Sequence, residues 1–150
     1  MIPAEPGVVL ADLTAGHERF LNDCSQHPHS TRERFLEVEN AQHPIAAVLG
    51  CADSRVPVEL LFDTGFGLFV VRNAGTMSTG AAIASLEFAV GHLNVPVIVV
   101  LGHERCGAIE AAFHPELRLT PNLAQVVGQL RMELFALGAA DNLAQACRDH

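Results

Sequence analysis

Three short apolar runs divide the chain and predict three buried β-strands. They cover residues 45–49, 68–71 and 96–101, and apolar side chains occupy successive positions in each run rather than alternate ones. Runs of this length without polar alternation are typical of parallel strands that are covered on both faces. Segments with helical spacing separate the runs, so the pattern predicts an α/β fold with a central, mostly parallel sheet flanked by helices.

Helices are expected before, between and after these strands. Residues 1–10 contain Pro3, Pro6 and Gly7 and are expected to be extended. The segment 79–93 is rich in small apolar residues on most of its faces, which favours packing between the sheet and another helix or subunit. The predicted helices cover residues 10–24, 31–40, 57–62, 79–93, 106–113 and 121–137, with another from residue 140 onward.

Right-handed crossovers restrict the possible topologies, and the strand order 2-1-3, with the first strand in the centre, is the expected one. The order then reverses between the first and third strands. In open parallel sheets, ligands bind at this reversal, outside the carboxyl ends of the strands.

Chemically reactive side chains follow the first and third strands at that point. Cys51 comes directly after the first run, and His103 and Cys106 come directly after the third. Two thiolates and one imidazole suit zinc, and three protein ligands leave a fourth position open, as in catalytic zinc sites. Soft sulfur ligands argue against magnesium and calcium. The alternative is two ordinary buried cysteines beside a hydrogen-bonded loop histidine.

Asp53 and Arg55 lie in the same loop as Cys51. A guanidinium can grip a carboxylate with two parallel hydrogen bonds and keep it ionised. Beside a metal, such a carboxylate could accept a hydrogen bond from a nucleophile or occupy the fourth position itself. The alternative is a salt bridge that only shapes the loop.

Composition narrows the class of protein. The chain has 150 residues and a formal net charge of -8 without a basic cluster, which argues against nucleic acid as a partner. The apolar runs are too short to span a membrane, and no secretory signal is recognised, so a cytoplasmic location is expected. In that setting the four cysteines are expected to be reduced, with Cys24 and Cys147 as ordinary packed or surface thiols.

Four segments of the chain together resemble the β-class carbonic anhydrases over about Gln42 to Ala112. In order along the chain they are CADSRVP, LFVVRNAG, SLEFAV and VIVVLGHERCGAI. The resemblance implies one zinc ion per subunit, held by Cys51, His103 and Cys106, with Asp53 and Arg55 as the catalytic pair. It also implies a set of substrate-binding residues, namely Gln42, Phe69, Ala74, Gly75 and Phe88.

The resemblance further implies the reversible hydration of CO2 to bicarbonate and a proton, a lyase reaction in which hydroxide generated at zinc attacks CO2. It implies a homodimer or a dimer-based tetramer. Two alternatives remain: a zinc hydrolase of CS2 or COS on the same scaffold, and a zinc-stabilised module that binds bicarbonate or a partner without turnover.

A single domain is expected over residues 1–150. It would comprise an N-terminal helical arm (1–40), a zinc-site core (41–115) and C-terminal helices (116–150). Family members continue further and add strands, so the chain is interpreted as a short homologue or a fragment whose sheet lacks strands.

Overall fold

The computed structural model describes residues 4–138 and 146–147, and residues 4–138 form six α-helices and three β-strands. The elements follow one another as α1 (Pro6–Leu21), α2 (Arg32–Val38), β1 (Ala46–Cys51), α3 (Val58–Leu61), β2 (Leu68–Asn73), α4 (Gly80–Gly91), β3 (Ile98–Leu101), α5 (Gly107–Phe113) and α6 (Pro121–Ala136). Two short 3-10 turns, Gly65–Gly67 and Ala74–Thr76, flank β2.

The strand order is β2-β1-β3 in a parallel sheet, which confirms the predicted order and fold class. All six residues of β1 are buried, as expected for a central strand whose neighbours pair with both of its edges. Cys51 is the last residue of this strand, so its thiol lies at the carboxyl edge of the sheet.

The prediction that all three strands are buried is wrong for the two outer ones. The residues of β2 are half-buried, and β3 exposes Ile98 and Val100, by 44% and 60%. These two side chains are two residues apart and therefore share one face of the strand. This face of β3 is therefore left partly uncovered by the described residues, and the apolar sequence of the strand does not reveal this.

The N-terminal segment differs from the expected extended conformation because α1 already begins at Pro6. Proline fits the first position of a helix, where its missing N–H would have no partner in any case. The helix buries Val9 and Leu13 against Ala46 of β1.

The side-chain oxygens of Thr31 and Thr79 accept backbone N–H groups and cap α2 and α4.

Contacts divide the chain into two compact units. The first unit consists of Met1–Leu49, Pro57–Val71 and Ser78–Val100; the second consists of Gly50–Val56, Arg72–Met77 and Leu101–His150. The predicted division into an arm, a core and C-terminal helices stays a prediction. Apart from residues 146–147, which are helical, the helix expected from residue 140 lies outside the described residues.

The second unit has its own apolar core, and two candidate metal ligands belong to it. Cys51 and Cys106 are buried in one cluster with Met77, Val127 and Leu130. Helices α5 and α6 pack against each other and supply half of the buried residues of this cluster. Burial on this scale limits the rotamers that both thiols can adopt.

Within residues 4–138 and 146–147, none of the helices combines the length and apolar character needed to cross a bilayer.

A buried carboxylate ties α1 to the loops of the first unit. Asp63 is 1% exposed, and its oxygens accept hydrogen bonds from the Arg19 guanidinium (2.7 Å) and from the backbone N–H groups of Gln26 (2.9 Å) and His27 (2.8 Å). Burial alone would raise the pKa of Asp63, but these three donors outweigh it and lower the pKa to about 2. The ionised carboxylate therefore stabilises the fold.

Replacing Asp63 by Asn is expected to lower the free energy of unfolding at neutral pH by about 2–3 kcal/mol, because an amide cannot accept all three hydrogen bonds. The stabilisation by the carboxylate is complete above the ordinary pKa of 3.8 and is lost as the pH falls toward about 2. Urea unfolding followed by circular dichroism should therefore show a difference between the two proteins that narrows on acidification.

The exposed Asp12 of α1 provides a matched control, and Asp12→Asn should change the unfolding free energy little at any pH. If both substitutions changed the unfolding free energy equally, the stabilising role of the buried Asp63 carboxylate would be contradicted.

Candidate metal centre

Strand pairing and helix starts position three potential metal ligands in the second unit. Cys51 ends β1, Cys106 is the N-cap residue of α5, and His103 lies in the short connection between β3 and α5. Since β1 and β3 are neighbours in the sheet, the residues at their carboxyl ends meet at the same edge.

The two thiols face each other at a distance that suits a shared metal ion. Their Sγ atoms are 3.8 Å apart, and the ligand atoms of Cys51, Cys106 and His103 all lie within 4.8 Å of one another. A disulfide would require a separation of about 2.05 Å. Around tetrahedral zinc, with Zn–S distances of about 2.3 Å, two sulfurs lie roughly 3.8 Å apart.

The His103 ring is oriented by a backbone carbonyl. Its Nδ1 lies 2.9 Å from the carbonyl oxygen of Glu104, which can only accept, so Nδ1 carries the proton and donates it. The other nitrogen, Nε2, is buried and has no hydrogen-bond partner among the described residues. A buried nitrogen lone pair without a donor is unfavourable unless it binds something else, and a metal ion meets this need.

These observations fit zinc. Two sulfurs at the edge length of a tetrahedron and one imidazole with a free Nε2 make three ligands of the types that zinc prefers. The set contains no oxygen ligand, which disfavours magnesium and calcium.

The environment of the thiols makes metal binding and proton release interdependent. Burial raises the pKa of Cys106, the N–H groups of Ile109 and Ala108 lower it, and the neighbouring Cys51 raises it again, with a net upward shift. A cation is needed to favour two thiolates side by side. The Asp53 N–H already points at the Cys51 sulfur, 3.4 Å away.

Asp53 and Arg55 form a closed pair beside the ligands. The Asp53 carboxylate accepts from the Arg55 backbone N–H (2.9 Å) and Nε (2.9 Å) through Oδ1, and from Nη2 (2.7 Å) through Oδ2. These bonds hold the pKa of Asp53 well below its ordinary range, so the carboxylate is ionised at neutral pH. Asp53 is not a member of the group of three ligands.

Arg55 also connects the two loops of the site. Its Nη2 donates to the carbonyl oxygen of Arg105 at 2.8 Å, and Arg105 lies between His103 and Cys106 in the loop after β3. Arg105 has a φ of 56°, in the left-handed region that is unfavourable for a residue with a side chain. One guanidinium therefore binds the carboxylate of the first loop and the backbone of the second.

Arg72, near the end of β2, also contacts the loop of Cys51. Its Nε donates to the carbonyl oxygen of Cys51 (2.8 Å), and its Nη2 donates to the carbonyl oxygen of Asp53 (2.6 Å). The sequence places Arg72 near the strand end but does not indicate which groups it binds.

The residues predicted to bind substrate are divided between the two units. Ala74 and Gly75 lie in the second unit with the metal ligands; Ala74 is exposed, whereas Gly75 is buried. A Cβ added at Gly75 would lie 2.9 Å from a methyl group of Leu130, and its φ of +76° also favours glycine.

Gln42, Phe69 and Phe88 belong to the first unit. The rings of Phe69 and Phe88 contact each other with centroids 6.3 Å apart, and Phe88 also stacks on His92 at 5.1 Å. Gln42 is exposed and lines a cleft of about 560 Å³ with His43 and His92.

The backbone partners of the site were not identified from the sequence. The carbonyl groups of Glu104 and Arg105 and the double contact of Arg72 orient four of the proposed functional residues, namely His103, Arg55, Cys51 and Asp53. A carbonyl group is present in every residue, so no sequence signal marks these ones. Cys147 is a packed thiol and Cys24 an exposed one, and both are free.

Comparison with known proteins gives a family for this arrangement. The sequence pattern that describes the family "Carbonic anhydrase" matches residues 46–147, more than half of the chain. Carbonic anhydrase 2 of Mycobacterium tuberculosis is 48% identical over 101 residues, which cover 67% of this chain and 49% of that protein. The carbonic anhydrase of Mycolicibacterium smegmatis is 49% identical over 100 residues, covering 66% of this chain and 48% of that protein.

The chain spans about half the length of these curated relatives. Among solved structures, the Coccomyxa β-carbonic anhydrase in complex with acetazolamide has a TM-score of 0.66 and 27% identity, covering 93% of this chain and 64% of that one. The β-carbonic anhydrase CafA of Aspergillus fumigatus has a TM-score of 0.63 and 28% identity, covering 92% and 67%. From the matched family pattern and these structural likenesses, the chain belongs to the β class of the carbonic anhydrase family.

Proposed function

We propose that this chain is a zinc-dependent carbonic anhydrase that interconverts CO2 and water with bicarbonate and a proton. The observation that carries the proposal is the convergence of Cys51, Cys106 and the unpartnered Nε2 of His103 beside a carboxylate that Arg55 keeps ionised. Family membership points to the same reaction.

In this proposal Cys51, His103 and Cys106 hold one zinc ion in each subunit. When bound, zinc supplies a Lewis acid that lowers the pKa of water to about 7 and so provides hydroxide at neutral pH. The protein contributes the rest of the site: two buried thiols with little rotamer freedom and an imidazole whose orientation the Glu104 carbonyl determines.

Asp53 orients the nucleophile. Its Oδ1 accepts two hydrogen bonds from Arg55, whereas Oδ2 accepts one and retains a lone pair that can accept the hydrogen of the attacking oxygen. Because Arg55 keeps the pKa of Asp53 far below neutrality, this carboxylate acts as an acceptor and not as an acid. The proton produced by the reaction therefore leaves to solvent buffer.

Substrate contacts are proposed at Gln42, Phe69, Ala74, Gly75 and Phe88. The family resemblance supports all five. The contact between Phe69 and Phe88 offers apolar surface of the kind that CO2 prefers, and Gln42 offers an amide that can donate to bicarbonate.

A homodimer, or a tetramer built from dimers, completes the proposal. Helix α4 is apolar except for Ser85 and Glu87, yet its buried residues are only Ala82 and Ala89. On its exposed side it presents Ile83 and Val90, 45% and 46% exposed and seven residues apart, which places them on one face. A cytoplasmic location is part of the same proposal, and it is supported by the four free cysteines, since reduced thiols persist in a reducing compartment.

The zinc-loaded chain is expected to hydrate CO2 faster than the metal-free chain, as measured by stopped-flow with a pH indicator. Asp53→Asn should retain one equivalent of zinc but lose activity by at least about 100-fold, because the neutral amide is a weaker acceptor and can no longer bind Arg55 in the same way.

Cys106→Ser supplies the metal control, since it removes one thiolate and should lose stoichiometric zinc at neutral pH. Absence of turnover in a protein shown to contain zinc would refute the enzyme proposal and leave the non-catalytic binding module. Undiminished turnover in Asp53→Asn would remove the carboxylate from the mechanism.

The oligomer proposal predicts that Ile83→Glu shifts the zinc-loaded protein toward monomer in light scattering coupled to size exclusion. Ile83 lies in the first turn of α4, where an acidic side chain does not weaken the helix. Leu117→Glu, at a residue 48% exposed in the second unit, is the matched control and should leave the mass unchanged. A monomeric unsubstituted protein, or an Ile83→Glu variant of unchanged mass, would refute the assignment of this face.

A further inference from the structure

We propose that Arg72 is a positioning residue for the metal site: its guanidinium fixes the Cys51 thiol and the Asp53 carboxylate relative to each other by holding the backbone between them. The inference rests on the proposed function only in assuming that Cys51 binds the metal.

Three hydrogen bonds tie residues 51–53 to the end of β2. The Ala52 N–H donates to the carbonyl oxygen of Asn73 at 2.8 Å and continues the strand pairing by one residue. Arg72 then binds the carbonyl groups on both sides of Ala52, that of Cys51 through Nε and that of Asp53 through Nη2. These two donors belong to one rigid plane, so they fix two peptide groups with a single side chain.

The backbone orientation that results determines what the neighbouring groups can do. With both carbonyl groups turned toward Arg72, the Asp53 N–H faces the Cys51 sulfur at 3.4 Å. The Asp53 side chain meanwhile binds Arg55. Arg72 therefore acts on the peptide and Arg55 on the carboxylate, and the two arginines have separate tasks.

Hydrogen-bonded partners of metal ligands control metal affinity as well as fold stability. Removing such a partner commonly weakens metal binding by about 10–100-fold. Arg72 is such a partner, because it binds the backbone carbonyl group of the candidate ligand Cys51. It also binds the backbone carbonyl group of Asp53, whose N–H faces the Cys51 sulfur. A contact that served stability alone would leave the metal affinity unchanged when lost.

The second unit contains a matched comparison. Arg131 on α6 also donates from Nε to a backbone carbonyl, that of Ala112, at the same distance of 2.8 Å. Ala112 lies in α5, and neither residue is a candidate ligand. Arg131→Gln therefore removes the same type of bond from the same unit without touching the loop of Cys51.

The test measures zinc affinity by competition with a chromogenic chelator and the visible absorption spectrum of the Co²⁺-substituted protein. Arg72→Gln should weaken zinc binding by about 10–100-fold and alter the Co²⁺ spectrum. Arg131→Gln should lower the melting temperature but leave the zinc affinity and the spectrum as they are in the unsubstituted protein. An Arg72→Gln protein with unchanged affinity and spectrum would overturn the proposal, as would equal losses of affinity in both variants.

Arg72→Lys keeps the positive charge and is the second test variant if Arg72→Gln does not fold. An ammonium group lacks the planar fork that spans two carbonyl groups, so this variant should also bind zinc more weakly and show an altered Co²⁺ spectrum. If a folded Arg72→Lys protein had unchanged zinc affinity and an unchanged Co²⁺ spectrum, a positive charge at this position would be enough for metal binding. That result would contradict the positioning role. None of these readouts needs turnover, so a zinc-binding but inactive protein would refute the proposed function and still test Arg72.

Discussion

The pairing of β1 with β3 is the contact on which the chemistry of this chain depends. It brings the last residue of one strand, Cys51, beside the loop that carries His103 and Cys106, more than fifty residues later in the sequence. Burial of β1 and packing of the two cysteines into the core of the second unit then hold the sulfurs 3.8 Å apart. Two thiolates this close repel each other, and in the proposed function a zinc ion bound to both would offset that repulsion.

Two arginines hold the loops around the candidate ligands, and they bind different groups. Arg55 binds the Asp53 carboxylate and the backbone of the loop after β3, so it keeps the carboxylate ionised and joins the two halves of the site. Arg72 binds backbone carbonyl groups on either side of Ala52. Because the Asp53 carboxylate binds Arg55, it does not take the fourth position on the metal in the proposed reaction. That position is left for the nucleophile.

Much of the fold was predictable because it follows from periodicity. Apolar runs of strand length predicted the three strands, and helical spacing between them predicted helices over residues 31–40 and 79–93, where α2 and α4 lie. Exposure was not predictable: Val100 has the same side chain as residues of a buried strand, and the sequence does not show that its face of β3 is left uncovered in the part of the chain that the structure describes. Pro6 is one of the residues that indicate an extended start, although at the first helical position a proline favours the helix.

For the site, the sequence predicted the functional residues but not the contacts that orient them. The types and spacing of Cys51, Asp53, Arg55, His103 and Cys106 indicated a metal centre with an ionised carboxylate, and the structure brings these residues together. The supporting contacts were not predictable, because carbonyl groups such as that of Glu104 carry no sequence signature. Those contacts determine which imidazole nitrogen is free to bind metal.

Zinc K-edge X-ray absorption of the loaded protein would show whether two thiolates and one imidazole hold the metal while the Asp53 carboxylate stays bound to Arg55. We expect two sulfur ligands at about 2.3 Å and an imidazole nitrogen at about 2.0 Å. The Asp53→Asn variant should have the same ligands at the same distances. A coordination shell without sulfur, or one that loses a ligand on the Asp53→Asn substitution, would contradict this assignment of ligands.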